Sequence, residues 1–144
     1  MTIAYVKDLM TADPVIVEPG ATLQEAAEKM KDNDCGVLPV GMDNHIKGII
    51  TDRDIVIRAI AQGKDPGAEK VSAYMTHHIF ACNEEDTLSD AAQKMREHKV
   101  SRLLVRNRAG KITGILSFGG ILRQHAGAAD VVGVVERATS RLIA

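Results

Sequence analysis

Hydrophobic positions fall into helical spacings and short runs, and the two kinds alternate in the same order twice along the chain. Leu23, Ala26, Ala27 and Met30 stand at i, i+3, i+4 and i+7, the apolar stripe of one helix face, and Leu88, Ala91, Ala92 and Met95 repeat it. A Ser/Thr-x-x-acid box opens each stripe: Thr22-Leu-Gln-Glu25 in the first, Thr87-Leu-Ser-Asp90 in the second. In such a box the hydroxyl and the carboxylate satisfy the orphan N–H groups of a helix start. Short apolar runs around the helices predict strands. Val15–Val17 and Ile79–Cys82 precede them; Gly36–Val40 and Arg102–Val105 follow. A turn (Gly41–His45; Asn107–Gly110) then leads to a third strand (Ile46–Ile50; Ile112–Leu116) and a closing helix (Asp54–Ala61; Gly120–Gln124).

The two halves are copies. Shifted by 65 positions, residues 6–40 fall on 71–105 without a gap, and 11 of those 35 positions are identical. After one inserted residue, Ile46, Gly48, Ile49 and Ile55 meet Ile112, Gly114, Ile115 and Ile121. Each copy reads β-α-β-β-α and is too small to hide its own helix faces. The expected fold class is α+β: two tandem repeats packed sheet to sheet as one domain, with an extra C-terminal helix. The expected divisions are repeat 1 at 1–62, a linker at 63–70 carrying Gly63, Pro66 and Gly67, repeat 2 at 71–126, and a tail at 127–144. Val131, Val132, Val134, Val135, Leu142 and Ile143 make that tail too apolar to leave in water. It is expected to form a helix lying on the domain or on a second subunit.

Composition narrows the function by exclusion. The formal net charge of −1 provides no basic field for nucleic acid or an anionic membrane. Aromatics at 3% leave few platforms for stacking bases and require an aliphatic core. No run approaches a membrane span, and the N-terminus lacks the basic and apolar regions of a signal peptide. A cytoplasmic location is therefore expected. Cys35 and Cys82 form no disulfide framework and read as small buried hydrophobes. His77 and His78 lie near Cys82, but neighbours on an extended segment point to opposite faces, and only Cys35 and His98 offer outside donors. No metal is expected. No nucleophile elbow, HExxH, GxxxxGK[ST] or GxGxxG is present, so no enzyme activity and no required cofactor are expected.

Two ordered motif sets remain. Met10-Thr11 goes with Gly48-Ile-Ile-Thr51-Asp-Arg-Asp54, and Met75-Thr76 with Gly114-Ile-Leu-Ser117-Phe-Gly-Gly120. Occurring twice in one order, they resemble the CBS-domain pair, or Bateman module, of small stand-alone prokaryotic type, over about residues 6–126. The resemblance implies a regulatory sensor that binds an adenine nucleotide (AMP, ADP or ATP) or S-adenosylmethionine in clefts between the repeats. It further implies signalling by conformational change to a separate, unidentified protein, and a homodimer built on repeat helices such as those carrying Ala26/Ala27 and Ala91/Ala92. A structural dimerisation module with decayed ligand sites is the alternative.

Carried over by position, the main cleft takes Thr51, Arg53 and Asp54 from the first repeat with Thr76, Ala81, Val100 and Ser101 from the second. An ionised Asp54 suits ribose because it can accept hydrogen bonds from both hydroxyls. Arg53 stands at a helix start, where phosphate is favoured. The second cleft takes Thr11, Ile16, Cys35 and Gly36 with Arg102 and Ser117, but Gly120 replaces the expected Asp there. It is expected to be the degenerate one. Each residue also has a plain structural role open to it. Thr51 and Asp54 form a passable capping box, Arg53 can be a solvated charge, Thr11 and Thr76 can bond their own turns, and Ala81 and Val100 can be core.

Overall fold

The computed structural model describes residues 3–125; the expected tail helix at 127–144 lies outside them. In chain order come helix α1 (Val6–Leu9), strand β1 (Thr11–Ala12), helix α2 (Leu23–Asp32), and strands β2 (Val37–Met42) and β3 (His45–Thr51). A π-helix (Asp54–Ala59) then runs into a 3-10 turn (Ile60–Gln62), and a second 3-10 turn spans Val71–Ala73. Strand β4 (Ala81–Asn83), helix α3 (Leu88–His98), strands β5 (Arg102–Arg106) and β6 (Ile112–Ser117) and helix α4 (Phe118–His125) complete the order. The fold is α+β with two tandem repeats, as the duplicated pattern requires.

Packing cuts the chain differently from the sequence repeat. One compact unit is Pro14–Ile79; the other joins the residues up to Asp13 to those from Phe80 onward. Each repeat's leading segment thus belongs to the unit built by the other repeat. The hydrogen bonds make the exchange explicit, and they obey the same 65-residue shift. In the first unit, Leu23 N–H donates to the Glu69 carbonyl (3.0 Å), Val71 N–H to Ala21 (2.9 Å) and Ser72 N–H to Pro19 (3.0 Å). In the second, Leu88 N–H donates to Ala4 (2.8 Å), Val6 N–H to Asp86 (2.9 Å) and Lys7 N–H to Glu84 (3.0 Å). The Glu69 and Ala4 carbonyls therefore satisfy N–H groups that a helix start leaves without partners. The stretch at 63–70 does the same work, since Gln24 N–H donates to the Pro66 carbonyl at 3.0 Å.

Sheet topology is shared but unequally developed. The second unit holds a four-stranded sheet in the order β1-β6-β5-β4, with β4 parallel to β5. In the first unit only β2 and β3 form a ladder, and the flanking positions shrink to single bridges, Thr76 with Ile49 and Val17 with Val40. The expected strand at Val15–Val17 is thus one bridged residue, and Pro39 explains it. Leu104 N–H donates to the Phe80 carbonyl in the second unit at 3.0 Å; the matching residue in the first, Pro39, has no N–H to give.

Both helix boxes form through their hydroxyls, Thr22 and Thr87 accepting from the N–H of Glu25 and Asp90 at 3.1 Å. The buried face of α2 is Leu23, Ala26 and Met30, while Ala27 is exposed, one position narrower than its apolar spacing suggests. Helix α3 buries Leu88, Ala91 and Met95 and half-buries Ala92. Each unit has its own core, around Leu38, Val40 and Ile50 in the first and Leu103, Val105 and Leu116 in the second. The closing helices differ from expectation in kind and extent. The first is a π-helix whose continuation stops at Gly63 (φ 75°), a left-handed position that glycine adopts without strain. The second begins at Phe118, two residues before the expected start.

Candidate functional site

Four of the seven main-cleft residues, Thr51, Arg53, Asp54 and Thr76, fall in the first unit. Thr51 ends β3 and is the one buried polar residue among the described core. Its hydroxyl accepts from Asp54 N–H at 3.1 Å, and its own N–H donates to Asp54 Oδ2 at 3.0 Å. The pair is therefore a complete reciprocal capping box. This arrangement uses one lone pair of one carboxylate oxygen. A carboxylate has about four acceptor sites, so the side chain keeps capacity for further donors. The Asp54 side chain is 17% exposed, open enough to meet a ligand and buried enough to be held.

Thr76 enters from the leading segment of the second repeat. It exchanges both backbone hydrogen bonds with Ile49, at 2.8 and 3.0 Å, two residues before Thr51. Gly48 makes this approach possible. A Cβ there would lie 2.6 Å from the Thr76 carbonyl oxygen, closer than real Cβ atoms come. Thr11 crosses beside Gly114 in the second unit, pairing with Ile115, and a Cβ on Gly114 would lie 2.5 Å from Met10 Sδ. The glycine in each motif is thus where the exchanged leader passes.

Arg53 is exposed, and its N–H is taken by Asp52 Oδ1 at 2.8 Å. With Asp54 N–H held by Thr51, two successive N–H groups at the start of the closing helix already have side-chain partners. Residues missed from the sequence surround this corner. Arg58 Nη1 donates to the Tyr74 carbonyl and lies 4.0 Å from Asp54 Oδ1, and its guanidinium carbon is 5.9 Å from the Tyr74 ring centroid. Partial burial, then the charge and hydrogen bond of Glu69, push the Tyr74 phenol up, while Arg58 pulls the other way. The i, i+4 spacing of Asp54 and Arg58 was visible in the sequence; the contact with Tyr74 was not.

Ala81, Val100 and Ser101 belong to the second unit. Ala81 starts β4 opposite Leu104, and its carbonyl accepts from Lys94 Nζ at 2.7 Å. Val100 N–H closes onto the Met95 carbonyl at 2.9 Å, and Ser101 Oγ accepts from Arg102 Nη1 at 3.3 Å. All three are half-buried rather than core. Phe80, next to Ala81, and His98, two residues before Val100, stack face to face with centroids 3.9 Å apart and planes 13° from parallel.

The second residue set divides the same way. Ile16, Cys35 and Gly36 lie in the first unit, where a Cβ on Gly36 would meet Asp52 Oδ2 at 2.8 Å. Thr11, Arg102 and Ser117 lie in the second, with Arg102 opposite Ser117 across β5 and β6. Ser117 Oγ accepts from Gly120 N–H at 3.0 Å, so half of the capping box survives without the acid. Cys35 is half-buried rather than buried; Cys82 is buried, and desolvation pushes its thiol up to about 12.

The family model that matches the chain is the CBS domain, over residues 6–60 and again over 71–127. The chain belongs to the CBS-domain family. The CBS domain-containing protein YhcV of Bacillus subtilis is 39% identical over 116 residues, 81% of each chain. Among solved structures, the CBS pair of protein MJ0100, in complex with 5-methylthioadenosine and S-adenosyl-L-methionine, matches at 26% identity with TM-score 0.73, covering 88% of this chain and 98% of that one. CBSX2 in complex with AMP matches at 26% identity with TM-score 0.64, covering 83% and 94%. Hypoxic Response Protein I, with two coordinated zinc ions, matches at 31% identity with TM-score 0.68, covering 84% and 98%. In this CBS pair, no group of three or more His, Cys, Asp or Glu converges among the described residues, and His77 and His78 are exposed. No helix among the described residues is long and apolar enough to cross a membrane.

Proposed function

We propose that this CBS pair is a regulatory sensor without catalytic activity, and that it binds an adenosyl ligand, an adenine nucleotide or S-adenosylmethionine. Thr51 and Asp54 take the ribose and Thr76 adds a hydroxyl. By the family resemblance, Ala81, Val100 and Ser101 take the base contacts and Arg53 the phosphate contact. The observation that carries this reading is the Asp54 carboxylate, fixed by Thr51 yet with acceptor capacity left over. Solved relatives holding AMP and S-adenosylmethionine support the same ligand class. The output is conformational, passed to a separate protein by a homodimer, and its size is limited by the ligand's differential affinity for the two arrangements. The second set, centred on Ser117 and Arg102, lacks the acid at Gly120 and binds weakly or not at all.

Thermal unfolding with AMP, ATP and S-adenosylmethionine tests the reading. Ligand at a hundredfold excess over its Kd adds about 2.7 kcal/mol and raises Tm by about 5–10 °C. Asp54→Ala should abolish the rise. A shift that survives this substitution places the ligand elsewhere, and no shift with any of the three supports a dimerisation module with decayed sites.

A further inference from the structure

We propose that Arg58 is a positioning residue of the Thr51/Asp54 site, tying the acid to the leading segment that delivers Thr76. The inference rests on the adenosyl-binding reading and assigns a role to a residue that reading does not use. Three observations in one unit support it. A single nitrogen, Nη1, donates to the Tyr74 carbonyl and faces Asp54 Oδ1 at 4.0 Å. That separation is an attraction rather than a hydrogen bond, so Oδ1 stays available to ribose. The guanidinium also lies over the Tyr74 ring. Third, the turn carrying Asp54 and Arg58 is a π-helix, a rare form found mostly at functional sites.

Together these contacts close a circuit. Thr51 holds Asp54, Asp54 faces Arg58, Arg58 holds Tyr74, and two residues later Thr76 pairs with Ile49 on the strand that ends at Thr51. Every member belongs to the first unit. Arginine suits the position because its planar fork presents five donors in fixed directions, whereas lysine is a point charge. The copy lacks the circuit: a 66-residue shift puts Gln124 where Arg58 stands and Gly120 where Asp54 stands, and the 65-residue shift puts Leu9 at Tyr74.

The test is calorimetric titration of the full chain with adenosine and with AMP. Arg58→Ala should weaken both by the same factor, roughly tenfold, as expected for losing a charge-assisted bond. Arg58→Lys should recover only part of it. In an Asp54→Asn background the further loss from Arg58→Ala should fall below about twofold, because the group it positions is gone. A loss confined to AMP would make Arg58 a direct phosphate ligand and overturn the proposal, as would full additivity with Asp54→Asn. Amide hydrogen exchange without ligand provides a second readout. Arg58→Ala, or Arg58→Lys if the alanine variant does not fold, should speed exchange at Ile49 and Thr76 about tenfold while leaving Val17 and Gly41 unchanged. Unchanged exchange at Ile49 and Thr76 overturns the positioning role. If the wild type binds neither adenosine nor AMP, and ATP and S-adenosylmethionine also leave its Tm unchanged, the adenosyl reading fails, and the exchange result alone decides whether Arg58 pins the leader.

Discussion

The two units are the same device built twice, and they differ where chemistry is concentrated rather than where packing is. Leu38 and Leu103, Val40 and Val105, Met30 and Met95 occupy matched positions and are all buried. At the end of the last strand the match breaks. The first unit has Thr51, Asp54 and Arg58; the second has Ser117, Gly120 and Gln124. Sheet size runs the other way, since the unit with the fuller polar corner has two laddered strands and the other has four. A core tolerates little change of volume without loss of stability, so the copies stay alike inside. The half-buried Asp54 carboxylate is under less constraint from packing, and only one copy carries it.

The strongest test of the equivalence is in the cores. Leu38→Ala and Leu103→Ala should each lower unfolding free energy by about 2–5 kcal/mol in urea; a near-neutral result at either would break the comparison. Next come the crossing points. Gly48→Ala drives a methyl into the Thr76 carbonyl, whereas Gly114→Ala first meets the flexible end of Met10. Both should cost about 1–3 kcal/mol, with Gly48→Ala the more damaging. The caps follow. Thr51→Ala and Ser117→Ala each remove one hydroxyl acceptor, but Thr51 is buried and Ser117 only half-buried, so losses of about 0.5–2 kcal/mol should be larger at Thr51 in thermal melts. Cys82 has the smallest effect at neutral pH. Its pKa is raised in the folded chain from the ordinary 9.0 to about 12, first by desolvation and then by Asp86. The stabilisation is therefore complete below pH 9.0 and is lost as pH rises toward about 12. Stability of the wild type relative to Cys82→Ala should stay level up to pH 9.0 and then decline as pH rises toward about 12.

Periodicity and the internal shift were enough to read the repeat, the two main helices and the paired strands, because each reflects local spacing that the chain repeats. The strand expected at Val15–Val17 failed for a reason also present in the sequence, the missing N–H of Pro39, but knowing which strand Pro39 faces required the register. Thr51 and Asp54 were legible as a box through their spacing alone. Tyr74 was not, since it is 16 residues from Arg58 and reaches it only because the leader is exchanged. The same exchange hid why the motif glycines Gly48 and Gly114 are glycines, which is to leave room for a segment from the other repeat.

That trade of leaders has a consequence for how such a chain could have arisen and how it can be dissected. A single repeat cut out by its sequence boundaries would lack the partner strand its glycine is shaped for and would leave helix donors such as Leu88 N–H without an acceptor. It could complete itself only by swapping ends with a second molecule. An ancestral one-copy form is then most simply a pair of identical chains with their front ends interchanged, which a later fusion made permanent.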